Sequence, residues 1–262
     1  MSNELQEVTN NETMPSFLND YVGKGHEDVN VNELKLPYLS LAQGSTDAVK
    51  KGLVKYGEFF DSITSEVLGK EVTIVVIKME QDWIKFPSKQ EKEEARKANK
   101  TAFIKRSKDG ITWDNGEKLT EDDYKKCKEY VFFCVVRDNL KPLPYIISMK
   151  STSSRSGKHL MNMIGHNMKS SFKGEPIFAR AYKLSSKELE GDNGAYLVYN
   201  NAQPMGWASQ DEVEIANKIR NNIDKYITAK DSENEIEVIN DVDPVKENKI
   251  PHTDLEEDDD LE

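Results

Sequence analysis

The chain has 262 residues, 37% hydrophobic and 32% charged, with a formal net charge of −11. That is enough for one large domain or two small ones with a single core, provided the polar ends stay outside it. No apolar run reaches the roughly 18 residues a spanning helix needs, the polar start up to Pro15 predicts neither a signal nor a transit peptide, and two cysteines, Cys127 and Cys134, are too few for a disulfide scaffold or a structural zinc site.

In chain order, residues 1–32 read as a mostly disordered acidic segment, and order begins near Glu33. The run Val72-Thr73-Ile74-Val75-Val76-Ile77 is the clearest strand, β-branched on both faces as a central strand should be. Residues 87–100 contain no large apolar side chain and predict a solvated helix or excursion. Asp109-Gly110 between Ala102–Arg106 and Ile111–Trp113 signals a hairpin. A second hairpin is expected between residues 130–136 and 143–149, turned by Asn139-Leu140-Lys141-Pro142. A helix follows over about 155–171, with Leu160, Met163, Ile164 and Met168 on its inner face. Strands are expected over 177–184 and 195–199. The last helix opens on a capping box, Ser209 with Glu212, and carries Ile215, Ile219, Ile223 and Ile227 at helical spacing. Residues 231–262 read as a disordered acidic tail.

Six to eight short strands with two or three helices predict a mainly β fold with inserted helices. An oligonucleotide-binding (OB)-like antiparallel barrel core with a C-terminal helix and disordered tails is the smallest closed solution. The nucleic-acid-binding domain is placed at residues 33–230, with an insertion at about 87–128.

The charge is unevenly spread. Residues 231–262 carry −12 and residues 1–32 carry −5, which leaves +6 on the body. Within the body, residues 78–108 carry +5 and residues 141–187 carry +8, whereas 33–77, 109–140 and 188–230 are each acidic. Both basic windows are rich in aromatics. The first holds Trp83, Lys85, Phe86, Phe103, Lys105 and Arg106, with Trp113 just beyond; the second holds Tyr145, Lys150, Arg155, Lys158, Arg180 and Tyr182, with Phe172, Lys173 and Phe178 among them. By the two-residue period, Phe178, Arg180 and Tyr182 share one strand face. Cations that track phosphates together with rings that stack on bases are what single-stranded nucleic acid requires. For each ring on its own, a place in the core is the competing reading.

The stretch from Lys150 to Lys158 is a hydroxyl-rich loop with three cations that runs into a helix N-terminus, where amide groups and the helix dipole favour a phosphate. A polar loop that only caps the helix is the alternative. Ser156-Gly157-Lys158-His159 is not a nucleotide-binding P-loop, because the first glycine is missing and a histidine stands where magnesium needs a hydroxyl. His159 and His166 lie two turns apart and cannot share a metal unaided. No hydrolase, metalloprotease or dinucleotide signature occurs. The chain therefore reads as non-catalytic, with no cofactor and no metal.

The tail tip, Leu255-Glu256-Glu257-Asp258-Asp259-Asp260-Leu261, mixes charge with flanking leucines, as a docking peptide for a basic, hydrophobic pocket would. The arrangement of a basic body and an acidic tail resembles phage-encoded single-stranded DNA-binding proteins. Pro15-Ser16-Phe17-Leu18 with Gly23 and Gly25, Leu36-Pro37-Tyr38-Leu39-Ser40-Leu41-Ala42-Gln43, and Gly57-Glu58-Phe59 with Gly69 carry the further likeness, which extends over about two thirds of the chain. One departure is that the tail ends in Leu261-Glu262 and not in an aromatic residue. The resemblance implies an OB barrel, a sequence-tolerant grip on single-stranded DNA in phage replication or recombination, and a tail that recruits replication or recombination proteins and competes with DNA. It places the protein in the cytoplasm of an infected bacterium, with no membrane partner. Two alternatives stand beside it: a DNA-annealing or recombination mediator, and an acidic interaction protein that mimics DNA. Oligomeric state is not legible.

Overall fold

The strand expected at residues 72–77 is the centre of the molecule. A computed structural model describes residues 36–98, 101–170, 174–191 and 194–223. In it this strand extends to fifteen residues, β4 (Glu71–Lys85), and pairs antiparallel with β6 (Lys128–Val136) on one side and β8 (Arg180–Gly191) on the other. Beyond β6 lies β7 (Tyr145–Met149), and beyond β8 lies β10 (Gln203–Trp207), giving the order β10-β8-β4-β6-β7. Two short additions complete this sheet: β5 (Lys105–Ser107) pairs with the end of β4, and β9 (Gly194–Tyr199) pairs with the far half of β8. A separate three-stranded sheet is formed by β1 (Leu39–Leu41), β2 (Phe59–Asp61) and β3 (Val67–Gly69), with the short helix α1 (Asp47–Lys50) between β1 and β2.

The body is mainly β, its large sheet curls into a half-barrel, and a helix closes it at the C-terminal side, as the pattern of short apolar runs predicts. The edge strands β7 and β10 do not pair with each other among the described residues.

Both faces of the sheet are buried, because β4 and β6 are apolar at successive positions and not merely at alternate ones. One face carries Val72, Ile74, Val76, Tyr130, Phe132, Cys134, Ile147 and Tyr182, covered by helix α4 (Ser154–Ser170) through Leu160 and Ile164. These two aliphatic side chains contribute roughly 3–6 kcal/mol of gross burial energy to docking the helix. The helix can approach so closely because Gly157 has no Cβ, which would stand 2.8 Å from Tyr130 Cβ. The opposite face carries Val75, Ile77, Val131, Phe133, Val135 and Ala181, covered by α5 (Gln210–Arg220), with Ala216, Ile219 and the following Ile223 packed inward. Helix α5 starts with the expected capping box, and its Glu212 has a second partner in Arg137, which donates to both carboxylate oxygens at 2.7 and 3.0 Å.

Between β4 and β6 lie α2 (Lys89–Lys97), β5 and α3 (Glu121–Lys126). Helix α2 buries nothing and is held by its own capping box, Ser88 with Glu91, in line with the solvated helix expected there.

Two local expectations need correction. Ala102–Arg106 does not pair with Ile111–Trp113 as a hairpin; β5 pairs with β4 instead. Asp109 turns the chain by accepting from the Ile111 and Thr112 amides and from the Ser107 hydroxyl. The strand expected from residue 177 begins only at Arg180, because Ile177–Ala179 forms a 3-10 turn. That turn breaks the two-residue period, so Phe178 packs with the α5 face while Tyr182 packs with the α4 face. Finally, β10 and the small sheet were not legible as strands. Pro204 and Gly206 disguise β10, as prolines and glycines of edge strands do. The expectations for residues 1–32, for Phe172, Lys173 and Ile227, and for the tail 231–262, Leu255 to Leu261 included, lie outside the described residues.

Candidate nucleic-acid interface

The cations that β4 and β5 contribute to the first basic window are neutralised in the fold. Lys85 Nζ lies 2.9 Å from Asp123, Lys105 Nζ 2.6 Å from Glu117, Lys78 Nζ 2.9 Å from Glu80, and Arg106 Nη1 3.8 Å from Glu129. Three of these acids belong to the acidic window 109–140, which packs back onto the end of β4. Hydrogen bonding to Asp123 raises the Lys85 pKa against the effect of its partial burial, as expected for a cation that has gained a partner.

Two of the four rings named there are core. Trp83 is 6% and Trp113 3% exposed. The Trp83 indole stacks on Tyr124 with centroids 5.3 Å apart, donates from Nε1 to the Tyr124 carbonyl at 3.1 Å, and has Gly110 close against its six-membered ring. Buried in this way it offers no platform to a base. The cleft beside these two rings is lined by Asp82, Asp109 and Asp114 against Arg106 and Lys108, a balance that repels a polyanion. Phe86 is partly exposed, with Lys150 Nζ 5.2 Å from its ring centroid. Phe103 stands out at 77% exposure.

In the second window the same sorting gives another result. Tyr145 and Tyr182 are buried on the α4 face and leave the set of stacking candidates. Their hydroxyls are engaged inside: Tyr145 donates to Asp61 at 3.2 Å, and Tyr182 accepts from Asn167 of α4 at 3.1 Å. Lys141 and Arg180 also have acidic partners, Glu66 at 2.7 Å and Glu175 through both oxygens at 2.7 and 2.8 Å.

Helix α4 is the exception. Its seventeen residues contain no Asp or Glu. At 100° per residue, the exposed positions Arg155, Lys158, His159, Asn162, His166 and Lys169 fall within an arc of about 100°, opposite the buried Leu160 and Ile164. Arg155, Lys158 and Lys169 have no ion-pair partner among the described residues. The stripe runs about 21 Å along the helix at 1.5 Å per residue. The helix begins directly after the 3-10 turn Ser151–Ser153, where Lys150 and Arg155 stand near its positive end. The helix end is also fixed inward. Ser156 Oγ donates to the Tyr199 carbonyl at 2.7 Å, and Ser153 Oγ accepts from the Tyr199 amide at 3.3 Å. Those two serines are thus structural, while Arg155 between them faces solvent.

Residue counting missed two contributors. Lys169 and the two histidines complete the α4 stripe, a signal readable from the absence of acids over residues 154–170. Trp207 was passed over because residues 188–230 are acidic in sum. It is 64% exposed, and the Arg180 guanidinium lies 4.4 Å from its ring centroid.

Among the described residues no group of carboxylates, histidines or cysteines could hold a metal, and no helix is long and apolar enough to cross a membrane. A model of the family described as Pam3 phage gp34-like protein matches residues 7–229. No curated protein and no solved structure matches the chain.

Proposed function

The chain belongs to the Pam3 phage gp34-like protein family, a bacteriophage family, and from that premise we propose that it is a non-catalytic, sequence-tolerant single-stranded DNA-binding protein of phage replication or recombination. The observation that carries this reading is the α4 stripe: a solvent-facing, acid-free row of cations, whereas Lys85, Lys105, Arg106 and Arg180 are each paired with an acid. A row of point charges on a rigid helix suits a phosphate backbone, because it needs no base identity and holds its geometry before binding. Affinity then comes from phosphate contacts along α4 and from rings beside it. The acidic tail 231–262 competes for the same row, and its Leu255–Leu261 tip docks on replication or recombination proteins.

The test is anisotropy of a labelled dT oligonucleotide with the full chain across a salt series. Binding should weaken steeply with salt. Replacing Arg155, Lys158 and Lys169 by alanine should reduce the log–log slope by about 2, since each single-strand phosphate contact contributes about 0.7. Deleting residues 231–262 should tighten binding. Absence of binding at low salt, with and without the tail, overturns the reading.

A further inference from the structure

Trp207 is the most exposed of the three tryptophans, and the backbone is bent to aim it. Along β10, Pro204 pairs with Tyr182 and Trp207 pairs with Arg180, so Met205 and Gly206 together oppose a single residue of β8. Gly206 takes a φ of +83°, a conformation that side chains rarely adopt, and supplies the extra residue of this bulge. Without the bulge the strand alternation would turn the indole to the other side of the sheet. With it, the ring lies on the side of Arg180 and Tyr182, the face that α4 covers.

The ring is also held from behind. The Arg180 guanidinium packs on one face at 4.4 Å and is itself clamped through Nε and Nη2 by Glu175. The Trp207 carbonyl accepts from Arg137 at 3.4 Å, and Arg137 is fixed by the buried Glu212. One face of the indole is therefore backed and immobile, and the ring remains 64% exposed. Tyr182 lies two residues along β8 from Arg180, about 7 Å at strand spacing, and its hydroxyl is bonded to Asn167 near the C-terminal end of α4. The platform thus stands where the cationic stripe ends.

We propose that Trp207, backed by Arg180, is a base-stacking platform for a nucleobase of the single strand tracked by α4. This rests on the DNA-binding reading and deepens it. A pre-positioned ring stacks without paying to order itself, and stacking accepts any base. Continuity with the cationic stripe favours a nucleic acid over a protein partner for this ring.

The test uses the full chain with a dT oligonucleotide and with an abasic strand of equal length and equal phosphate number. The wild type should bind dT about 5- to 150-fold more tightly than the abasic strand, the range expected for one stacked base. Trp207→Ala should bring dT down to the abasic level with the salt slope unchanged, while Trp207→Phe retains most of the difference. Intrinsic fluorescence should be quenched by dT and not by the abasic strand, and the quench should vanish in Trp207→Phe, because Trp83 and Trp113 are buried. The wild-type quench decides the matter should Trp207→Ala fail to fold. If dT and abasic strands bind equally, or the quench persists in Trp207→Phe, the platform is overturned while the α4 reading stands. If the wild type binds neither strand, both fall, and a protein partner for Trp207 becomes the reading to pursue.

Discussion

Residues 78–108 and 141–187 look alike as sequence, each basic and each rich in rings, yet the fold sorts their cations differently. The first meets an acidic neighbour, residues 109–140, that folds back on it. Lys85 reaches Asp123 and Arg106 reaches Glu129. The second contributes a whole helix, α4, whose exposed side has no acid of its own. Net charge in a window therefore says little about the field a ligand meets. What matters is which cations the fold leaves without a partner.

This contrast can be broken most directly by charge reversal. Arg155→Glu, Lys158→Glu and Lys169→Glu together should weaken oligonucleotide binding at low salt on the order of 100-fold or more, since three charge-assisted contacts become repulsions. Unfolding midpoints should change little, because all three side chains face solvent. Equal binding by this variant and the wild type would remove α4 from the interface.

The next effect concerns the support of the platform. Burial works to raise the Glu212 pKa, but Arg137 and the Ser209 amide and hydroxyl outweigh it and hold the carboxyl below its ordinary value. A depressed folded pKa gives stability that is complete above the ordinary carboxylate range and is lost as pH falls through the folded value. Glu212→Gln should cost roughly 2–3 kcal/mol near neutral pH, less than a fully buried pair because the Arg137 side chain is 32% exposed. It should also flatten the acid limb of a stability–pH profile measured by urea unfolding. An unchanged acid limb would assign that limb to other carboxylates.

In the first basic window the expected outcome is the reverse of that for α4. Lys85→Met and Arg106→Met should each lower stability by about 1–3 kcal/mol by leaving Asp123 or Glu129 buried and underpartnered, with oligonucleotide affinity changed less than about threefold. A large loss of affinity without a loss of stability would restore this window to the interface. The smallest effect is expected at Phe103, whose ring is 77% exposed. Phe103→Ala should shift stability by no more than about 0.5 kcal/mol, the usual range for a surface position.

Much of the architecture was legible locally. The β-branched run at 72–77 reads as a central strand because both of its faces are apolar. Ser209 and Glu212 announce α5, and the inner stripe of Leu160 and Ile164 announces α4. These signals depend on neighbours within a turn or a strand pair, so no distant contact is needed to read them. Local signals misled in two ways: a tertiary pairing drew β5 to β4 over its own hairpin, and a local 3-10 turn at Ile177–Ala179 separated Phe178 from Tyr182.

The candidate site was harder to read for the same reason. The central strand, the two long helices α4 and α5, the uneven charge and the acid-free stretch at 154–170 follow from the residues alone. Only the tertiary structure decided which rings are core and which cations are paired. Trp83 and Trp113 are buried against a segment folded back onto β4, whereas Trp207 is turned outward by a bulge on an edge strand. Burial and ion pairing are set by partners tens of residues away, as Lys85 is by Asp123 and Arg137 by Glu212, and periodicity carries no information about them.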